Sequence, residues 1–496
     1  MLRLSLLTMF VAALSLYAFK DWFKSLCGLI LLTAVVQHPD MPKTMLGIQG
    51  LNPWNILLLF VGIGWISAIS KERMTWDMPK NITWLLVLYF LIICIAFIRL
   101  ETDFSRLVQW DMALGGDPPT RLSLLSEHII NCFKWVAPGF LLFMGCNSES
   151  RFRMALMAVI GVYFLLAIQV IRWMPLGTLV SGDALTERSL KILSNEVGFH
   201  RVNLSMMLAG GSWAFFAVKV LSRSKFQTLA SMGGAVLILF GQALTGGRTG
   251  YATWLLIGML LAWSRWKRYI FVAPVLVAII IATVPAVKER FTAGFSEDTI
   301  DTNSKLEETA VMEGGPHWYT VTAGRSIAWP YVFEKIGERP LTGYGREGMK
   351  TSGTAIFLAA EFAELFPHPH NAYLEWTLDN GFFALLIVLS FYWLVFRNSY
   401  RLFKDSRNQI YVGIGGVCLS LVAALLIGAI GSQTFYPREG SLGMWCAIGL
   451  MFRVFVQRKK LLERASLSET PVEHNMKELW YKEPPITAAR RRAMAT

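Results

Sequence analysis

Charge is scarce in this chain. Only 16% of its 496 residues are Asp, Glu, Lys or Arg, while 54% are hydrophobic and the mean hydropathy is +0.45. That balance excludes a soluble multidomain protein, which needs more polar side chains to cover its surface. Cysteine is scarce as well. Cys27, Cys94, Cys132, Cys146, Cys418 and Cys446 all lie in or at the ends of apolar runs. A disulfide framework is thereby excluded, and with no C-x-x-C pair a thiolate metal centre is not expected. The chain also lacks a nucleotide-binding motif, a solenoid repeat and any cluster of histidine with carboxylate at ligand spacing. Neither metal nor cofactor is expected.

Long apolar runs are what the chain has instead. They recur near 4–19, 25–37, 54–70, 82–98, 127–146, 153–172, 203–221, 228–245, 250–264, 269–287, 372–396, 410–431 and 441–457. A helix needs roughly 17–25 residues to cross the hydrocarbon core. The expectation is an all-α integral membrane protein, a polytopic bundle of about 12–13 transmembrane helices with one large extracytoplasmic loop forming a helical cap. Arg3 ahead of the first run is leader-like, but Phe19-Lys20-Asp21-Trp22 follows where cleavage needs small residues. The run therefore reads as a retained span.

The formal charge of +13 does not point to nucleic acid. Its sources fall in alternate connections: Lys20/Lys24, Lys71/Arg73/Lys80, Arg151/Arg153, Arg223/Lys225, Arg265/Lys267/Arg268, Arg397/Arg401/Lys404/Arg407 and Arg458-Lys459-Lys460. This is the bias that keeps such loops cytoplasmic. By parity the connections 100–126, 173–202 and 288–371 face outward, into the periplasm of a two-membrane cell. Four regions follow: an N-terminal transmembrane bundle (1–287), the large loop (288–371), C-terminal transmembrane helices (372–457) and a basic tail (458–496). The tail is expected to lie as a flexible arm on anionic lipid. Within the loop, 296–308 is acidic and polar, whereas Trp329, Tyr331, Phe333, Ile336 and Phe357 offer apolar surface for a cap.

The groups capable of chemistry gather on that outward side. His370 stands in HPHNAYLEWTLDNG (368–381), where loop gives way to apolar helix. With an ordinary pKa near ~6.5, a neutral imidazole can take a proton from an attacking hydroxyl. A hydrogen-bonded histidine at a helix mouth is the competing reading. His368, between two prolines, is less suited to the task. Glu375 and Asp379 share a helix face, where carboxylates complement a helix N-terminus. Glu375 and Asn371 are also candidates for substrate binding. Arg248 lies in TGGRTGY (245–251), Arg325 in TAGRSIAW (322–329) and Arg346 in PLTGYGREG (340–348), each beside glycines that leave backbone open. Any one arginine alone reads as snorkelling or solvated. Two converging from separate segments suit a diphosphate, since each makes bidentate charge-assisted bonds. Arg201 and Asn203 head another run, and Lys134 is the only cation well inside one; both places are candidate ligand positions.

These motifs, in this order, resemble the O-antigen ligase and polymerase superfamily of bacterial envelopes. The resemblance covers 245–256, 323–348 and 368–390. It rests on Arg-Thr-Gly at 248–250, Gly-Arg-x-x-x-Trp at 324–329, a Gly-x-Gly turn at 343–345 and His-Asn-x-Tyr-Leu-Glu at 370–375. Ala252 stands where family members commonly have leucine. The resemblance implies a metal-independent glycosyltransferase of the bacterial inner membrane with its active site facing the periplasm. The implied donor is an undecaprenyl-diphosphate-linked glycan, and the acceptor a glycan, lipid or protein hydroxyl, in O-antigen or exopolysaccharide assembly. Carried over, Arg248 and Arg325 would hold the diphosphate and His370 would activate the acceptor. Protein O-glycosylation within the same superfamily, or transport of lipid-linked oligosaccharide, are the alternative functions.

Overall fold

No water reaches the backbone inside a bilayer, so apolar runs satisfy their amides by folding as helices. In the computed structural model, residues 2–45, 48–175, 177, 181–267, 270–292, 322, 324–362, 365–431 and 434–467 are described. Among them, eight helices are long and apolar enough to cross a membrane. They are Pro53–Lys71, Lys80–Thr102, Glu149–Trp173, Arg201–Leu221, Lys225–Leu244, Phe382–Lys404, Gln409–Gly428 and Glu439–Glu463. Leu2–Tyr17, Trp22–Leu32, Asn131–Gly145, Arg248–Ser264 and Val272–Thr283 are shorter apolar helices at the remaining expected runs up to 287. Asn52, Ser148, Ser224 and Asn408 cap helix starts by accepting a backbone N–H. Thr44–Met45 and Ile48–Gln49 form a two-residue antiparallel pair, the only strands among the described residues.

Gln409–Gly428 is the central helix: 89% of its most apolar window is buried, against 28% for Pro53–Lys71. It packs on Arg201–Val218, Phe382–Lys404 and Leu442–Leu467. Small residues permit this, since side chains at Gly415 and Gly416 would strike Phe403 and Ala217.

One expected span is corrected. The run 372–396 is not a single helix but two, Ala372–Asn380 and Phe382–Lys404, divided at Gly381. Gly381 has φ 83° and ψ 174°, a conformation nearly confined to glycine. A side chain there would strike the Leu341 carbonyl, and Phe382 N–H donates to Pro340 O at 2.8 Å. The break is therefore imposed by the 340–341 strap crossing it.

The helices Arg325–Glu338, Gly348–Thr351 and Thr354–Phe362 form a cap with its own core: Ala328, Val332, Tyr344, Met349, Ala355, Leu358 and Phe366, joined by Trp110 and Leu378. Tyr331 and Ile336 pack against this core as expected, whereas Phe333 and Phe357 are exposed. Trp110 belongs to helix Phe104–Ala113, so a second connection shares the cap. The acidic stretch 296–308 lies outside the described residues.

At the opposite, basic end five arginines and lysines are tied to acids, four of them to acids from other segments. Asp77 meets Arg453 (2.9 Å) and Lys460 (2.6 Å), Asp405 meets Arg407 (2.6 Å) and Arg458 (2.7 Å), and Glu72 meets Arg151 (2.6 Å). This corrects the start of the tail. Residues 458–467 continue the last helix, and Arg458 and Lys460 are clamped rather than part of a free arm.

Candidate functional site

The site is built around the nine-residue helix Ala372–Asn380. Its underside rests on aromatic rings: Trp376 lies 5.5 Å from Tyr89, which stacks 5.9 Å from Trp445 and 6.0 Å from Phe391. Asn371 caps it, its side-chain oxygen accepting from Tyr373 N (3.0 Å) and Leu374 N (3.2 Å). That use of Oδ1 is structural, an N-cap worth about 1 kcal/mol.

His370 precedes the cap with φ 50°, in the left-handed region. A non-glycine residue there costs about 1–3 kcal/mol and persists only where its surroundings fix it, a pattern common at functional sites. The fixing contacts are visible. His370 N–H donates to His368 Nδ1 (3.3 Å), the two rings lie 4.1 Å apart, and Ala372 N–H donates to Ala429 O (2.7 Å). Burial, and then the neighbouring His368, Arg325 and His200, push the His370 imidazole down to about 3. It is held neutral throughout the physiological range, at the expense of some basicity.

Arg325 opens its helix after Gly324, whose φ of 78° makes the turn. Trp329 Nε1–H donates to Pro369 O at 2.9 Å and so locks this helix beside His370. Burial lowers the pKa of the Arg325 guanidinium, and its charge acts on His370. Among the described residues it forms no ion pair, so its charge is not neutralised there.

Arg248 is the first residue of Arg248–Ser264, after Gly246 (φ 67°) and Gly247. Side chains at Gly247 and Gly250 would strike Ser205, whose hydroxyl donates to Gly247 O at 3.2 Å. This presses the turn onto the helix headed by Arg201, which reaches Ser189 Oγ at 3.5 Å. A side chain at Gly431 would strike Thr249, next to Arg248. The 428–431 turn thus touches the residue after Arg248 on one side and, through Ala429, the His370 segment on the other. Through that turn the Arg248 and His370 segments are neighbours, and Arg325 bears on His370. Close by, Asn203 Oδ1 and both amide atoms of Gln242 are buried without a hydrogen-bond partner. Such atoms normally find one.

Residues 233–389 match the O-antigen ligase family, a stretch holding Arg248, Arg325, Arg346 and the whole His370–Glu375 element. Over that stretch the chain is similar to the O-antigen ligase family, in agreement with the resemblance its motifs carry. Broadly, the match supports a membrane enzyme of the O-antigen ligase type. No curated protein is similar enough to the chain to be matched.

Other residues singled out in this O-antigen ligase domain and around it take different places. Arg346 is turned inward and almost fully buried. Its guanidinium meets Glu375 (2.9 Å), Asp379 (3.1 Å) and Glu347 (3.7 Å), donates to His128 Nδ1 (3.3 Å) and lies 3.9 Å over the Tyr436 ring. Asp379 also accepts from Tyr436 Oη (2.9 Å) and Gly348 N (2.8 Å). Arg346 and Glu375 therefore neutralise each other inside a knot that joins the cap to the Ala372–Asn380 helix. Lys134 is held over the rings of Trp135 (4.3 Å) and Trp54 (5.7 Å). Cation–π contact of this kind accounts for an ammonium inside an apolar helix.

Two positions escaped the sequence reading. His200, just ahead of Arg201, contributes to the environment of His370, and burial lowers its own pKa. Arg438 lies in the connection after the central helix. His200 was visible only as one of seven scattered histidines, and Arg438 as one more basic loop residue.

Proposed function

We propose that the chain transfers or polymerises glycan from an undecaprenyl-diphosphate-linked donor, without a metal, at the periplasmic face of the bacterial inner membrane. What supports the reading is a neutral, backbone-strained histidine on which Arg325 bears, with the segment of the glycine-flanked Arg248 touching the same 428–431 turn. An acceptor hydroxyl oxygen attacks the anomeric carbon while its proton passes to the neutral His370 imidazole. The bond from that carbon to the diphosphate oxygen breaks with its electron pair. Arg248 and Arg325 stabilise the departing charge, in a half-buried place where fixed cations act most strongly. Asn203, Gln242 and Arg201 offer polar contacts to the phosphate or first sugar.

The test is glycan transfer by Arg248→Ala, Arg325→Ala and His370→Ala proteins inserted at wild-type levels. Each is expected to lose about 10²–10⁴-fold in rate, the range for a missing acid–base or electrostatic group. Normal glycan ladders in all three would sink the assignment. The products of a deletion strain sort the acceptor: single repeat units indicate a polymerase, and accumulated full-length lipid-linked polymer a ligase.

A further inference from the structure

Every residue from His368 to Ala372 takes part in a bond that fixes the turn into the site helix. His370 N–H donates to His368 Nδ1 (3.3 Å), and Pro369 O accepts from Trp329 Nε1–H (2.9 Å). Asn371 Oδ1 caps the helix, and Ala372 N–H donates to Ala429 O (2.7 Å). Within this series His368 is the residue whose side chain acts directly on the His370 backbone. A side-chain acceptor bonded to the N–H two residues on is the contact that asparagine and aspartate make in Asx turns. Here a histidine makes it, and the N–H it holds belongs to a residue at φ 50°.

The prolines on either side make His368 suited to this work. Pro369 confines the residue before it to extended backbone, and Pro367 fixes its own φ, so Nδ1 is presented from a stiff chain. The His370 ring, by contrast, has no such hold of its own. Among the described residues neither of its nitrogens has a hydrogen-bond partner. Its aim is therefore set by the backbone at 370 and by the rings packed against it. Those are His368, 4.1 Å away at 61°, and Phe366 of the cap core, 6.2 Å away at 80°. Because His368 Nδ1 accepts a hydrogen bond, the proton of the neutral ring is on Nε2, and Nδ1 is already occupied. One histidine is thereby committed to holding the other.

We propose that His368 is a positioning residue: its Nδ1 holds the His370 backbone in the left-handed turn and so aims the His370 imidazole at the acceptor hydroxyl. The inference rests on the proposed function, since it takes His370 as the base. Loss of a group that acts only through aim lowers kcat and leaves KM nearly unmoved. A displacement of about 1 Å at a reacting group is enough for a loss on the order of 10²-fold.

The experiment compares His368→Asn, His368→Gln and His368→Ala with wild type, as full-length protein in lipid nanodiscs. Transfer is followed on the total lipid extract of cells lacking the enzyme, and hydrogen exchange on the peptide spanning 365–374. Rates are taken per folded molecule. Asparagine carries its oxygen as many bonds from the backbone as Nδ1 and can close the same turn, whereas glutamine reaches one bond too far. His368→Asn is expected to keep the maximal rate within about threefold. His368→Gln and His368→Ala should lose about 30–100-fold, with half-saturation moved by less than about twofold. The amide of residue 370 should exchange about tenfold faster in those two proteins and as in wild type in His368→Asn. Equal losses in the Asn and Gln proteins would overturn the proposal, because the Nδ1 acceptor would then not be what matters. A Gln protein more active than the Asn protein moves the role to Nε2 and overturns it too, as do wild-type rates in all three. Failure of the transfer reading shows separately: His370→Ala cells make normal glycan ladders while exchange still separates His368→Asn from His368→Gln.

Discussion

The two ends of the bundle handle positive charge in opposite ways. At the basic end, Arg151, Arg407, Arg453, Arg458 and Lys460 each find Glu72, Asp77 or Asp405 within 3 Å, and every acid joins elements distant in sequence or anchors a loop. At the cap end the carboxylates are concentrated in one knot around Arg346, while Arg325 and Arg438 carry charge with no acid partner among the described residues. Similar side chains do different work because of what surrounds them. Where acids match bases, the charge is structural; at the cap end, Arg325 is left unmatched beside a neutral imidazole among the described residues.

The comparison can be broken most directly at the knot. Arg346→Ala leaves Glu375 and Asp379 buried beside each other without their cation, and is expected to cost about 3–5 kcal/mol of stability. A large loss of thermal stability in detergent would confirm this. Partial recovery is expected on adding Glu375→Gln and Asp379→Asn, which remove the stranded charges. An Arg346→Ala protein of wild-type stability with selectively lost donor binding would instead return Arg346 to the substrate ligands.

Gly381→Ala comes next. Alanine cannot take φ 83° with ψ 174° without strain of about 1–3 kcal/mol. The expected result is a lower melting temperature with kcat reduced, because the strap at Leu341 and the start of the long span must shift together. Smaller still is the effect of Asp77→Asn or Asp405→Asn at the basic end. Their partners are part-exposed, so each change should cost about 1 kcal/mol or less and leave transfer within about twofold. A greater loss of activity than of stability there would show that the two ends are coupled.

The mildest test is pH. An ordinary histidine base loses activity as pH falls through about 6.5. Because the His370 pKa is pushed down to about 3, its base form persists as pH falls, so kcat/KM should show no loss from this group between pH 8 and 5. A limb near pH 6.5 that disappears in His370→Gln would contradict the buried environment. The same depression means that the folded state binds less proton than the unfolded chain between about pH 6.5 and 3. This group therefore destabilises the fold progressively as pH falls through that window.

Much of this architecture was legible in residue order alone. Hydropathy exposes helices because a bilayer leaves no alternative, and the His-Asn-x-Tyr-Leu-Glu element pointed to its own helix mouth. The break at Gly381 was not legible, since an apolar average runs smoothly across it and its cause lies about forty residues upstream, in Leu341. Nor was the inward turn of Arg346. Like Arg248 and Arg325 it sits among glycines, and only the meeting of His128, Glu347, Glu375, Asp379 and Tyr436, drawn from across the chain, decides its fate. Lys134 was ambiguous for a similar reason: Trp135 is adjacent, but Trp54 comes from another helix.

The joint at Gly381 has a bearing on the lipid surroundings. Membranes differ in thickness by several ångströms, and spanning helices accommodate by tilting. A continuous helix from Ala372 to Lys404 would pass any such tilt straight to the residue beside its cap. Phe382 is tethered to Pro340 and the short helix is held separately by the aromatic stack, so the two helices are anchored independently on either side of the joint. The expected consequence is that a tilt of the long span in a thinner or thicker bilayer is not passed rigidly to the helix beside His370.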